Sequence, residues 1–118
     1  MPDSFNAINA HDLHEQRCSD HPPAVVDARS REAFESSHIP GAICIPSDQA
    51  AQLALEVLDR NQAIVVYCTD LDCSASPTLA GKLLDLGFAD VTDFSGGLQE
   101  WHEAGFHVEQ SREAAAST

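Results

Sequence analysis

Cys68 stands where a cysteine can act as a nucleophile. It follows the apolar, β-branched run Ile64-Val65-Val66-Tyr67 and opens a small polar loop, Thr69 to Ala75, ahead of Ser76 and Pro77. The run reads as a strand and the stretch after the loop as a helix. Ser76 is the expected cap, and Pro77 suits a first helical position, where its missing N–H would have no partner anyway. Leu79, Leu83 and Leu86 supply one helical face, and Gly87 is the expected terminator. A thiol between a strand end and a helix start faces orphan N–H groups and the positive end of the helix dipole. Both favour the anionic sulfur, which is the nucleophilic form.

The other cysteines divide around it. Cys73, five residues on, has two readings that the residues leave open. It resolves a persulfide or sulfenate on Cys68 through a disulfide, or it fills a small gap under the loop. Cys18, at a helix end, and Cys44, within a strand, read as passive thiols. Cys68 and Cys73 lack C-x-x-C spacing, and His38, His102 and His107 are not placed as ligands to either, so no metal site is expected. Thr69 and Ser74 are placed either to donate to a bound sulfur or to satisfy loop backbone groups. Asp27 and Arg29 read as structural residues near the site, His38 as a brace for its turn, and Trp101 as core.

The remaining chain must supply a frame. Asn9 is the expected cap for a helix over 10–17, and Ser19 to Pro23 reads as a loop. Ala24-Val25-Val26-Asp27 is a strand ending in a carboxylate, and Ser30 caps a short helix, Arg31 to Ser36, with Ala33 and Phe34 inward. After the turn at His38-Ile39-Pro40-Gly41, Ala42 to Ile45 is a strand closed by Pro46. Ser47 then caps a helix whose apolar positions are Ala50, Leu53, Ala54, Val57 and Leu58. Asp90 to Phe94 is the last strand, Gly96-Gly97 a permissive turn, and a helix through Leu98 and Trp101 ends near Gly105. Ile8 is a candidate edge-strand residue. Residues 1–110 form the expected domain, and 111–118, polar and alanine-rich, the expected frayed tail. Short strands alternating with helices predict an α/β domain with a mainly parallel sheet. Ligands in such sheets bind beyond the carboxyl ends of the strands, the rim where Asp27 and Cys68 both fall.

Composition narrows the function. The 118 residues suffice for one domain with a real core and leave no room for two. Nineteen acids against six Lys and Arg give a formal charge of -13. Too few cations remain to build a nucleic-acid face or to hold an anionic membrane surface. No apolar run approaches the roughly 20 residues of a membrane helix. The start of the chain lacks a basic segment and an apolar core, so a cytoplasmic protein with reduced thiols is expected.

Three separated stretches resemble the rhodanese family. Val26-Asp27-Ala28-Arg29-Ser30-Arg31-Glu32-Ala33-Phe34 with His38-Ile39-Pro40-Gly41-Ala42 is the first. Val65-Val66-Tyr67-Cys68 with a helix ending at Leu86-Gly87-Phe88 is the second, and Gly96-Gly97-Leu98-Gln99-Glu100-Trp101 the third. The resemblance implies a single rhodanese-like domain with a five-stranded parallel sheet flanked by helices. It implies a sulfurtransferase in which Cys68 carries a persulfide between a small sulfur donor, thiosulfate or a persulfide, and a thiol or cyanide-like acceptor. A protein acceptor is compatible with it, and no cofactor is implied. The loop Thr69, Asp70, Leu71, Asp72, Cys73 and Ser74 is then the substrate-binding segment, its N–H groups cradling the anionic sulfur.

That loop departs from the commoner family form, which carries a glycine and an arginine soon after the cysteine. The loop here has neither and is longer, resembling a variant with a second cysteine. Without arginine it offers no bidentate site for a dianion, which disfavours a cysteine phosphatase or arsenate reductase of related fold. An inward Asp70 or Asp72 would repel thiosulfate by on the order of 4 kcal/mol at about 4 Å and an effective dielectric near 20. A helix N-terminus returns only about 0.3–2 kcal/mol. Outward carboxylates would be screened. The alternatives to sulfur transfer are a dithiol redox enzyme or sensor using Cys68 and Cys73, and a non-catalytic module that offers its acidic loop to a basic protein.

Overall fold

The computed structural model describes residues 6–69 and 74–109. Five parallel strands form one sheet: β1 (Asn6–Ala7), β2 (Ala24–Asp27), β3 (Ile43–Cys44), β4 (Ile64–Tyr67) and β5 (Val91–Phe94), in the spatial order β1-β5-β4-β2-β3. The three central strands have four residues each and the two edges only two. Short edges limit the unpaired backbone open to another chain. The register aligns Cys44, Asp27, Tyr67 and Phe94 in one row at the carboxyl rim, and Cys68 lies one residue beyond it.

Alternating side chains feed two cores, because successive strand residues point to opposite faces. Val26, Ile64, Val66 and Val91 pack beneath α3 (Ala50–Val57) and α4 (Ala75–Asp85), against Ala54, Leu79 and Leu83. Val25, Val65, Tyr67 and Phe94 pack on the other face against Leu13 of α1 (Ala10–Arg17) and Trp101 of α5 (Gly97–Glu103). The parallel sheet covered on both faces is the α/β arrangement expected. Asn9 caps α1 by accepting from the Asp12 N–H at 2.8 Å, and Ser30 caps α2 (Arg31–Ser36) by accepting from Ala33.

Several local expectations fail. Ser76 is not a cap: Ser74 holds the cap position without a side-chain bond, and Ser76 is buried in the first turn of α4 beside Asp93. Pro77 is consequently the third helical residue, still tolerated because N–H groups of the first turn have no intrahelical acceptor. Ser47 does not cap α3. It opens a 3-10 turn, Ser47–Gln49, and its carbonyl accepts from Lys82 Nζ at 2.8 Å. Val57 is half exposed, at 50 %, because α3 ends there and Leu58, past the helix, takes the buried place. Ala33 and Phe34 are only half-buried, since α2 lies along the rim, and β3 is shorter than Ala42 to Ile45. The edge strand is Asn6–Ala7, just ahead of Ile8. The tail 111–118 and the loop residues Asp70, Leu71, Asp72 and Cys73 lie outside the described residues.

Candidate active site at the carboxyl rim

The site is built on the end of β4. Cys68 is 1 % exposed and sits directly after Tyr67 in the most enclosed strand of the sheet, whose four residues are all buried. It is disulfide-bonded, whereas Cys18 and Cys44 are free thiols. Its carbonyl accepts from the Leu98 N–H at 2.9 Å, and the Thr69 carbonyl accepts from the Gln99 N–H at 2.9 Å. The first turn of α5 therefore pins the backbone on which the cysteine is mounted.

Gly97 makes this approach feasible. Its φ is +65°, and a Cβ there would lie 2.5 Å from the Cys68 carbonyl oxygen and 2.8 Å from the Thr69 carbonyl carbon. The second glycine of the pair read from the sequence as a permissive turn is thus a close backbone contact to the cysteine. Only the missing side chain allows it.

Asp27 and Arg29 form a closed unit beside Cys68. The Asp27 carboxylate is fully buried and accepts from Arg29 Nη2 at 2.8 Å, from Arg29 Nε at 3.1 and 3.2 Å, and from the Arg29 backbone N–H at 2.8 Å. Arg29 also donates to the carbonyls of Ala33 and Ser37. Burial alone would lower the Arg29 pKa, but the hydrogen bond and charge of Asp27 outweigh it and raise it. The Tyr67 hydroxyl accepts from the Ile39 N–H at 3.0 Å and hydrogen-bonds Asp27. Burial, reinforced by the Asp27 charge, pushes the Tyr67 phenol far up, so it stays neutral. Together these residues tie β2, β4 and the turn at Ile39 into one rim. His38 braces the same turn, with Nδ1 2.8 Å from the Phe34 carbonyl and its ring stacked on Phe34.

A cavity of about 610 Å³ opens above this rim, and its lining includes Cys68, Thr69, Ala75, Arg29 and Arg31. Thr69 and Ser74 are both exposed, Thr69 on the cavity wall. Cys44 stays beneath the rim: burial, then the Asp27 charge, raises its thiol pKa against the opposing pull of Arg31 and Arg29. Trp101 is core, its indole N–H donating to the His107 carbonyl at 2.7 Å.

Asp93 is a site-adjacent residue without a strong sequence signature. This carboxyl is 6 % exposed, faces Ser76, and has an Oδ1 without a hydrogen-bond partner. Burial raises its pKa, partly countered by the Ser76 hydrogen bond. The sequence signal was an acid two residues after Val91, in step with it on the same strand. Among the described residues, no group of three or more His, Cys, Asp or Glu is placed to hold a metal ion. None of their helices is long and apolar enough to cross a membrane.

Known proteins share this architecture. Residues 9–104 match the rhodanese-like domain family. The chain is 35 % identical over 78 residues to the thiosulfate sulfurtransferase GlpE of Pseudomonas syringae, covering 65 % of this chain and 70 % of that protein. It is 34 % identical over 102 residues to the adenylyltransferase and sulfurtransferase UBA4 of Meyerozyma guilliermondii. That match covers 80 % of this chain but only 23 % of the relative, so the chain spans about a quarter of it. Among solved structures, the BH2092 protein of Bacillus halodurans superposes with a TM-score of 0.81 at 29 % identity, over 92 % of this chain and 78 % of that one. With its parallel sheet, its cysteine at the end of β4 and Gly97 packed against that cysteine, the chain belongs to the rhodanese-like domain family.

Proposed function

We propose that this domain is a sulfurtransferase that carries sulfane sulfur on Cys68. The observation that carries the reading is the position of Cys68: at the end of the central strand, on the wall of a cavity, with its backbone clamped by α5. In the reaction, the Cys68 thiolate, released from its disulfide by a thiol reductant, attacks the outer sulfur of thiosulfate or of a persulfide. One S–S bond forms, the donor's S–S bond breaks, and sulfite or a thiolate leaves with the electron pair. A thiol or cyanide-like acceptor, small or on a protein, then takes the outer sulfur and returns Cys68 as thiolate. Residues Thr69, Asp70, Leu71, Asp72, Cys73 and Ser74 would supply the cradle for the anionic sulfur. Asp27 and Arg29 hold the rim without touching substrate. The reading places the protein in the cytoplasm, where thiol donors and acceptors abound. The test is thiocyanate formation from cyanide with each donor: wild type should turn over and Cys68→Ser should not. Turnover that survives Cys68→Ser would reject the reading.

One observation favours a second reading, since Cys68 is disulfide-bonded while Cys18 and Cys44 are free. In a dithiol redox enzyme or sensor, Cys73 would be the exchange partner of Cys68. Oxidised protein would then lack two thiols that return with reductant, and Cys73→Ser would abolish that change.

A further inference from the structure

Among the described residues, two charges on the wall of the cavity above Cys68 have no ion-pair partner. Arg31 and Asp48 both line it, and both are exposed. Arg29, the other cation on its wall, is closed off by Asp27 and two carbonyls. Arg31 and Asp48 make no salt bridge with each other, and neither appears in the ion pairs found among the described residues. Arg31 opens α2 after β2, whereas Asp48 lies in the 3-10 turn after β3. The two charges are therefore mounted on adjacent strand ends of one rim. Lys82 reaches the Ser47 carbonyl and is not part of the cavity wall. Among the described residues, a cation and an anion without ion-pair partners beside a sulfur site match a ligand that carries both charges. Thiosulfate carries only negative charge and would leave Asp48 opposed.

We infer that the cavity takes a zwitterionic amino-acid thiol as its persulfide donor, with the donor's carboxylate on Arg31 and its ammonium on Asp48. This inference rests on the sulfurtransferase reading and names its substrate class. The chemistry is an exchange without net oxidation. The Cys68 thiolate, freed from its disulfide by a thiol reductant, attacks the outer sulfur of the donor R–S–SH. A new S–S bond forms on Cys68, the donor's S–S bond breaks, and the electron pair leaves on the amino-acid thiolate. The proton stays with the transferred sulfur. About 610 Å³ is ample for a donor of that size.

The test loads reduced protein with three persulfides: that of cysteine, that of N-acetylcysteine, which lacks the ammonium, and that of cysteamine, which lacks the carboxylate. The rate of sulfur gain on Cys68 is followed by intact mass for wild type, Asp48→Asn and Arg31→Gln. Both substituted side chains are exposed, so both variants should fold. The readout is how each donor ratio changes between wild type and variant, which cancels differences in intrinsic donor reactivity. Asp48→Asn should lower the preference for cysteine over N-acetylcysteine persulfide by about two- to fivefold in kcat/KM, and Arg31→Gln should do the same for cysteine over cysteamine persulfide. Added salt should shrink both effects in wild type. Donor ratios unchanged by either variant, with loading intact, would overturn the zwitterion site and leave sulfur transfer standing. A change from Arg31→Gln alone would also overturn it, since the site would then be a simple anion site. No loading from any donor would overturn the inference together with the reading beneath it.

Discussion

Replacing Gly97 by alanine should cost more than any other glycine substitution in this fold. Gly97 has φ +65°, a region where a Cβ costs roughly 1–2 kcal/mol. The added atom would also stand 2.5 Å from the Cys68 carbonyl oxygen and 2.9 Å from the Thr69 carbonyl oxygen, both backbone atoms that no rotamer change can move. Relief requires α5 to retreat, which strains or breaks the Leu98-to-Cys68 and Gln99-to-Thr69 hydrogen bonds. At about 1 kcal/mol for each bond, the total is about 3–4 kcal/mol. Two controls separate the causes. Gly105 has φ +90° with nothing within 4 Å of a built Cβ, so Gly105→Ala should lose only the conformational part, about 1–2 kcal/mol. Gly81, inside α4 with open space around it, should gain about 0.5–1 kcal/mol as alanine. Urea unfolding of the three variants measures these differences directly, and the rate of Cys68 alkylation in the reduced, folded protein reports whether the cysteine has moved. Gly97→Ala should be the one variant that changes both. If it unfolds within about 0.5 kcal/mol of wild type and alkylates at the wild-type rate, the α5 clamp on Cys68 is refuted.

Other perturbations follow from the buried polar groups. The raised pKa of Asp93 means that the folded state holds its proton above the ordinary value of 3.8. Its relative stabilisation is therefore present below that pH and lost as pH rises through the folded value. Asp93→Asn should accordingly be more stable than wild type at neutral pH, by on the order of 1 kcal/mol, and the gain should vanish in acid; a gain independent of pH in urea titrations would contradict this. Arg29→Met leaves the fully buried Asp27 carboxylate unpaired and should cost about 3–5 kcal/mol, whereas a loss under 1 kcal/mol would show that the pair does not hold the rim. Tyr67→Phe strips the Ile39 N–H of its acceptor at a fully buried position and should cost about 1–3 kcal/mol by thermal or urea unfolding.

Where the sequence was legible, a local rule decided the outcome. Asn9 and Ser30 were readable as caps because the N–H groups that donate to them lie only three residues on in the chain. Val25, Val65 and Tyr67 against Val26, Ile64 and Val66 were readable because strand alternation sorts faces without knowledge of neighbours. The place of Cys68 at a strand end followed from the same apolar run. What escaped depends on groups distant in sequence. Ser76 satisfies every local criterion for a cap, yet it is buried in α4 beside Asp93, a partner on β5. Ser47 likewise gives its carbonyl to Lys82, 35 residues on. The contact of Gly97 with Cys68 requires that β5 and β4 be neighbours, which no short stretch encodes. Arg31 and Asp48 become one rim only once β2 and β3 pair.

The central claim, sulfur carried on Cys68, is tested most directly by intact mass. Reduced wild type, Cys68→Ser and Cys73→Ser would each be exposed briefly to thiosulfate or to glutathione persulfide, and then to cyanide. Wild type should gain the mass of one sulfur atom from at least one donor, cyanide should remove it, and Cys68→Ser should gain nothing. A gain that survives Cys68→Ser, or no gain from either donor, would contradict the claim.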